Sequence, residues 1–204
     1  MILIIGSEGS MGTRYKSILN WIGVEYICSD IGDYKEKFAQ KVDSSSKIIL
    51  CTPTDTHHKI LQEIIPTGKT ILCEKPISKS LFELSDILNL CDKYRCNFNM
   101  TFQYSELVKN TAELPSFYNY FRTGKDGLFW DCLQIIALAK TSVDIRNTSP
   151  IWSCFINGQE LYLSDMDEAY VSFIKKWING EINQDHNDLF KIHEKTERLA
   201  NGRN

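Results

Sequence analysis

Residues 2–12 read ILIIGSEGSMG: four branched apolar residues, then glycines at positions 6, 9 and 12, with apolar residues at helical spacing from Met11 on (Met11, Tyr15, Ile18, Leu19, Ile22). An unbroken apolar run of that length reads as a strand covered on both faces, the habit of parallel sheets. A glycine-rich turn from strand into helix lets main chain approach an anion. The helix start then offers N–H groups and the positive end of its dipole. The spacing Gly6-x-x-Gly9-x-x-Gly12 is one residue longer than the usual dinucleotide fingerprint. Three glycines in seven residues also suit an ordinary turn; the strand before and the helix after favour the dinucleotide reading. Its candidate contacts are Gly6, Gly9, Ser10, Met11 and Gly12.

The same rhythm continues for about a hundred residues. ILII (2–5), VEYICS (24–29), KIILCT (47–52), TILC (70–73) and NFNMTF (97–102) read as strands. Helical patterns over 10–22, 33–41, 55–65 and 80–94 separate them. Strand–helix alternation with continuous apolar strands predicts an α/β fold, a Rossmann-type doubly wound parallel sheet, over residues 1–106. The pattern then changes. SFYNYF (116–121) is strand-like and aromatic, and 126–140 is a strongly apolar helix. SVDIRN, IWSCFING and QELYLSD read as short strands, with Asn157-Gly158 as a hairpin turn. An amphipathic helix over 167–179 precedes a polar tail from 181, expected as a short or frayed helix. Residues 107–204 are therefore expected to form a reduced α+β substrate and dimerisation domain with a small antiparallel sheet.

A net charge of −3 leaves no footprint for nucleic acid or an anionic membrane. No apolar run reaches a membrane span, and the N-terminus lacks the pattern of a secretory signal. The seven cysteines include no CxxC, and Cys28, Cys51 and Cys73 sit inside apolar runs, where a thiol behaves as a small hydrophobe. A reduced, cytoplasmic setting without a metal site is the expectation. His186 and His193, near the polar C-terminal end, read as solvated helix residues.

Each later strand ends in polar, chemically useful residues. Asp30 closes the second strand, eighteen residues beyond Gly12. A carboxylate there accepts hydrogen bonds from ribose hydroxyls and repels a 2′-phosphate, so NAD(H) is expected in preference to NADP(H). A solvated turn aspartate is the plainer reading. The third strand ends CTPTDTHH, which makes Cys51, Thr52, Pro53, Thr54 and His57 further cofactor candidates; His57 and His58 also fit a surface. The fourth strand ends ILCEKPIS. There Lys75 would project into the cleft and stabilise negative charge on a substrate oxygen, with Glu74 orienting it and Pro76 limiting the main chain. Taken alone, a Lys-Pro pair is more simply a solvated turn.

Gly6, Gly9, Gly12, Asp30, CTPTDTHH and above all CEKPIS together resemble the Gfo/Idh/MocA family of nicotinamide-dependent oxidoreductases. The resemblance covers roughly residues 1–110. It implies that Glu74-Lys75-Pro76 is the family's Glu-Lys-Pro element, whose lysine contacts substrate and nicotinamide from a turn of unusual peptide geometry. NFNMTFQYSELVKN resembles the family's fifth strand and its exit, which implies that Gln103 faces the nicotinamide. Relatives are longer, with a large open antiparallel sheet, which implies a shortened member. Against the family pattern D-x-G-x-H-x-x-D, Asp131 matches the first aspartate, Ile135 falls at the catalytic histidine and Leu138 at the last aspartate. Residues 131, 135 and 138 share a helix face, so a proton-transfer face becomes apolar. Gln134 can hydrogen-bond but cannot serve as a base. Lys75 would then transfer the proton alone, or with water, Asp131, Tyr104 or His57.

The expected activity is an NAD(H)-dependent oxidoreductase acting on a small polar molecule such as a sugar or sugar nucleotide, with Lys75, Asp131 and Gln134 as catalytic candidates. Arg14, Arg122, Lys125 and Arg146 are candidates for anionic substrate groups or plain surface residues. A biliverdin-reductase-like reduction of a conjugated substrate is an alternative, given the apolar face of Ile135 and Leu138 beside Phe129 and Trp130, which equally suits core packing. A catalytically silent dinucleotide-binding sensor or assembly protein is another. SFYNYF is apolar or aromatic on both faces, which suggests a homodimer through the C-terminal sheet.

Overall fold

Strands β1 (Ile2–Ile5), β2 (Tyr26–Ser29), β3 (Lys47–Leu50), β4 (Thr70–Cys73) and β5 (Phe98–Met100) form one parallel sheet in the order β2-β1-β3-β4-β5. They come from a computed structural model that describes residues 1–30, 33, 35–108, 117–121, 133, 142–146, 153–156, 159–161 and 163–201. The interior strands explain their own sequences. Leu3, Ile4, Ile48, Ile49, Leu50, Ile71, Leu72 and Cys73 are all fully buried, because helices cover both faces and leave no solvent side for polar residues. On the edge strand β2 only Ser29 is buried.

The connecting helices are α1 (Ser10–Trp21), α2 (Lys35–Ser44), α3 (Thr54–Ile64) and α4 (Leu81–Tyr94). Helix α1 buries Tyr15, Ile18 and Leu19, and α4 buries Leu84, Ile87, Leu88 and Cys91, each set at three- and four-residue spacing. Ser80 caps α4 by accepting the Glu83 N–H at 3.3 Å, while the Glu83 carboxylate accepts from Ser78 Oγ at 2.7 Å. At the far edge, the side-chain amide of Gln184 takes the place of a sixth strand. Its Oε1 accepts the Met100 N–H at 2.8 Å and its Nε2 donates to the Met100 carbonyl at 2.9 Å.

Topology locates the site before any side chain is considered. From β1 the chain crosses to β2 on one side, then returns past β1 to β3 on the other. The strand order thus reverses between β1 and β3, and a crevice opens outside their carboxyl ends.

Residues 1–101 with 183–186 form this unit; residues 102–182 with 187–204 form a second. The second contains α5 (Tyr104–Val108), α6 (Leu163–Ile178) and most of α7 (His186–Ala200). It also holds a sheet of β6 (Phe117–Phe121), β7 (Ser142–Arg146), β8 (Ser153–Ile156) and β9 (Gln159–Leu161) in the order β7-β6-β8-β9. Helix α6 buries Tyr170, Phe173, Ile174 and Trp177. The Glu106 carboxylate ties α5 to it by accepting from Ser172 Oγ at 2.7 Å and pairing with Lys176.

Three expectations are corrected here. The sheet is mixed rather than antiparallel: β6 pairs parallel with β7, antiparallel with β8, and β8 antiparallel with β9. Twenty residues, 122–141, separate β6 from β7 in the sequence, enough for a parallel return, whereas Ile156 pairs with Gln159 only three positions on in the chain. The C-terminal tail is neither short nor frayed but a 15-residue helix burying Leu189, His193 and Thr196. Finally, His193 is not solvated. It is 0% exposed, with Nδ1 2.8 Å from the Leu189 carbonyl, and burial pushes its pKa down to about 4. Of the helix expected at 126–140, only Leu133 is described; it is helical and buried.

Candidate active site

The glycine turn is shaped by how closely two strand tips meet. Gly6 adopts φ +92°, and a Cβ there would lie 2.8 Å from the Thr52 nitrogen and 2.9 Å from the Cys51 carbonyl carbon. Only glycine allows β1 and β3 to end side by side in this way. A Cβ on Gly12 would lie 2.3 Å from the Gly6 oxygen, so α1 packs directly on the turn. Gly9 differs. Its φ of −71° suits any residue, and a Cβ would meet only the Gly6 oxygen, at 3.5 Å. Protein packing therefore does not demand glycine at position 9. The space its missing side chain leaves lies at the start of α1, where no side chain among the described residues caps the helix. The first-turn N–H groups of Ser10, Met11 and Gly12 thus meet the requirements of a dinucleotide phosphate. Glu8, 78% exposed on this turn, is paired with Lys16 at 3.2 Å.

Asp30 is fixed at the rim. Its carboxylate accepts from the buried Ser7 hydroxyl and, at 3.2 Å, from the Glu8 N–H. Gly6, Gly9, Asp30, Cys51, Thr52 and Pro53 line one cleft of about 650 Å³, a volume in the usual range of ligand sites. The sequence reading missed Asp33, Phe38, Thr56, Lys59, Ile60 and Glu63, which share the walls. A helical repeat from the β3 tip would have indicated four of them: Thr56, Lys59, Ile60 and Glu63 lie three, four and seven residues apart on one face of α3. Phe38 and Ile60 add an apolar slot. Thr54 starts α3 and does not line the cleft. Burial disfavours the thiolate at both Cys51 and Cys73. Burial pushes the Cys51 thiol up to about 12, with Glu74 and Asp30 adding to the effect, and burial holds the Cys73 thiol well above its ordinary value.

His57 and Glu74, expected at the cofactor, are buried braces. The His57 ring is 1% exposed, with Nε2 2.8 Å from the Thr52 carbonyl and Nδ1 3.1 Å from that of Ile77. It therefore joins the loop after β3 to the loop after β4. Burial holds its pKa below the ordinary value, against the pull of those carbonyls. Glu74, 6% exposed, accepts the Tyr15 hydroxyl on one oxygen and the Lys75 N–H, at 3.1 Å, on the other. Thr101 Oγ1 lies 2.9 Å from the same tyrosine oxygen. One turn beyond Gly12, Tyr15 thus fastens α1 to the tips of β4 and β5. Lys75, half-buried, follows directly, and its peptide bond to Pro76 is cis.

Lys75 does not line the 650 Å³ cleft; it belongs to the next strand tip along the same edge of the sheet. Gln103, 3% exposed, stands at the start of α5 in the second unit. Asp131, Gln134, Ile135 and Leu138, with Phe129, Trp130, Arg122 and Lys125, lie outside the described residues.

Comparison with known proteins agrees with this geometry. Residues 9–102 match a family model described as oxidoreductase family, NAD-binding Rossmann fold. An uncharacterized oxidoreductase, YrbE of Bacillus subtilis, is 33% identical over 90 residues, covering 44% of this chain and 25% of that protein. Inositol 2-dehydrogenase of Rhizobium meliloti is 50% identical over 30 residues, 15% of this chain and 9% of its own. The chain thus spans a quarter or less of these curated relatives. Among solved structures, the WlbA dehydrogenase of Thermus thermophilus, in complex with NAD and UDP-GlcNAcA, superimposes with a TM-score of 0.72. It is 11% identical and covers 98% of this chain and 94% of that one, a likeness of fold. Over residues 9–102, which hold the glycine turn, the switch-point cleft and the Glu-Lys-Pro tip, the chain matches the Gfo/Idh/MocA oxidoreductase family's NAD-binding Rossmann-fold domain.

Proposed function

We propose that this protein is an NAD(H)-dependent oxidoreductase acting on a small polar substrate of the sugar, polyol or sugar-nucleotide class. The observation that carries the reading is Gly9. It is a glycine that the fold itself does not need, at an uncapped helix start, beside a cleft walled by Asp30 and Thr52. In this reading the main-chain N–H groups of Ser10, Met11 and Gly12 hold the pyrophosphate, and Gly6 and Gly9, whose own N–H groups donate to the Ser29 and Gly6 carbonyls, leave it room to approach. Asp30 accepts the ribose hydroxyls and repels a 2′-phosphate, favouring NAD(H) over NADP(H). Thr52, Pro53 and Thr56 form the wall opposite. A bound nicotinamide supplies hydride exchange. Lys75, held by the Glu74–Tyr15 brace, donates a hydrogen bond to the substrate oxygen and stabilises negative charge there. Asp131 and Gln134 remain catalytic candidates on the strength of the sequence. The substrate class rests on the relatives, since inositol and UDP-GlcNAcA appear in their names.

The test follows NADH absorbance across a panel of polyols, sugars and UDP-sugars, alongside NADH titration by fluorescence. Wild type should turn over a member of the panel. Lys75→Ala should lose roughly a hundredfold or more in turnover while its NADH affinity stays within about threefold. Tight NADH binding with no turnover of any panel member would instead identify a dinucleotide sensor.

A further inference from the structure

The turn after β2 carries a second acid. The Asp33 N–H donates to the Asp30 carbonyl at 3.0 Å, which sets both carboxylates on one turn, and both line the cleft. Their surroundings differ. Among the described residues the Asp30 carboxylate accepts from neutral donors, the Ser7 hydroxyl and the Glu8 N–H. Asp33 faces cations from α2. One of its oxygens accepts from Ser29 Oγ at 2.7 Å and pairs with Lys41, and the other lies 3.5 Å from Lys37. The two lysines are one helical turn apart on α2, with side chains 22% and 63% exposed for Lys41 and Lys37. Lys41 with Ser29 holds the Asp33 carboxyl down to about 2, so it stays ionised at any working pH.

A 2′-phosphate carries up to two negative charges and is recruited by ammonium or guanidinium groups near the ribose. Such groups stand one carboxylate's width behind this rim, yet Asp33 occupies them. We propose that Asp33 is a specificity residue for the coenzyme: by engaging Lys41 and Lys37 it withholds from a 2′-phosphate the cations that would bind it. Asp30 repels that phosphate directly, and Asp33 removes the attraction that would offset the repulsion. This inference rests on the dinucleotide reading given above.

The experiment titrates NADH and NADPH into the full chain by nucleotide fluorescence. Asp33→Asn should tighten NADPH about tenfold and leave NADH within about threefold, because one negative charge leaves the rim and two ammonium groups are released. Adding Lys41→Gln to that variant should cancel the gain. Lys41→Gln alone should weaken NADPH further relative to NADH, and this decides the matter if Asp33→Asn fails to bind NADH. An unchanged NADPH-to-NADH ratio in variants that still bind NADH overturns the inference and leaves the dinucleotide reading standing. Wild type that binds neither nucleotide overturns both.

Discussion

Tyr15→Phe removes one oxygen from the fully buried centre of the brace behind Lys75. The tyrosine proton goes to Glu74, so Thr101 is the donor in its own 2.9 Å contact with that oxygen. The variant therefore strips two buried groups at once: a carboxylate oxygen on Glu74, 6% exposed, and the hydroxyl of Thr101, 0% exposed. An unmet buried acceptor costs about 1–3 kcal/mol, toward the upper end for a charged group, and the hydroxyl adds to it. The expected loss is about 3 kcal/mol. At about 2–4 °C per kcal/mol for a chain of this size, the melting temperature should fall by about 6–12 °C. Far-UV circular dichroism in a urea series and a thermal melt both read this. A cycle with Glu74→Gln should show about 1 kcal/mol or more of coupling, since the two side chains share one bond. A loss below about 0.5 kcal/mol with an additive cycle refutes the reasoning, because the Tyr15–Glu74–Thr101 contacts would then hold nothing together.

Two glycine variants should separate packing from binding. Gly12→Ala places a methyl 2.3 Å from the Gly6 oxygen and should destabilise the fold by about 1–3 kcal/mol or more. Gly9→Ala should melt like wild type yet lose about tenfold or more in NADH affinity; the opposite pattern would reverse the roles assigned here. Burial lowers the folded pKa of His193 to about 4 from 6.5, so between these values the unfolded chain binds the additional proton. Stability should be full above pH 6.5 and fall by up to about 3 kcal/mol as the pH drops through 4, a slope that His193→Gln flattens in urea titrations at stepped pH. Asp33, lowered to about 2 from 3.8, adds a second loss only below pH 3.8, which Asp33→Asn removes.

The sequence by itself determined the parallel-sheet unit. Its strands are apolar without alternation because both faces are covered, and its glycines mark a turn whose spacing is a local property. Helix α4 carries its own start signal in Ser80 and Glu83. The tips of the strands were legible for the same reason, since a polar residue ending an apolar run is visible in one dimension. What those tips do was decided by tertiary structure. Thr52 and Asp30 face a cleft, whereas His57 and Glu74, equally polar and equally close to a tip, turn inward to join loops and helices far apart in the chain. Asp33 and Lys41 lie eight residues apart across a turn and a helix start, and only the fold brings them together at the rim. The second sheet shows the same division. β8 and β9 pair between residues that are close in the chain, but the parallel partnership of β6 and β7 joins segments about twenty residues apart in sequence, too far for local spacing to show.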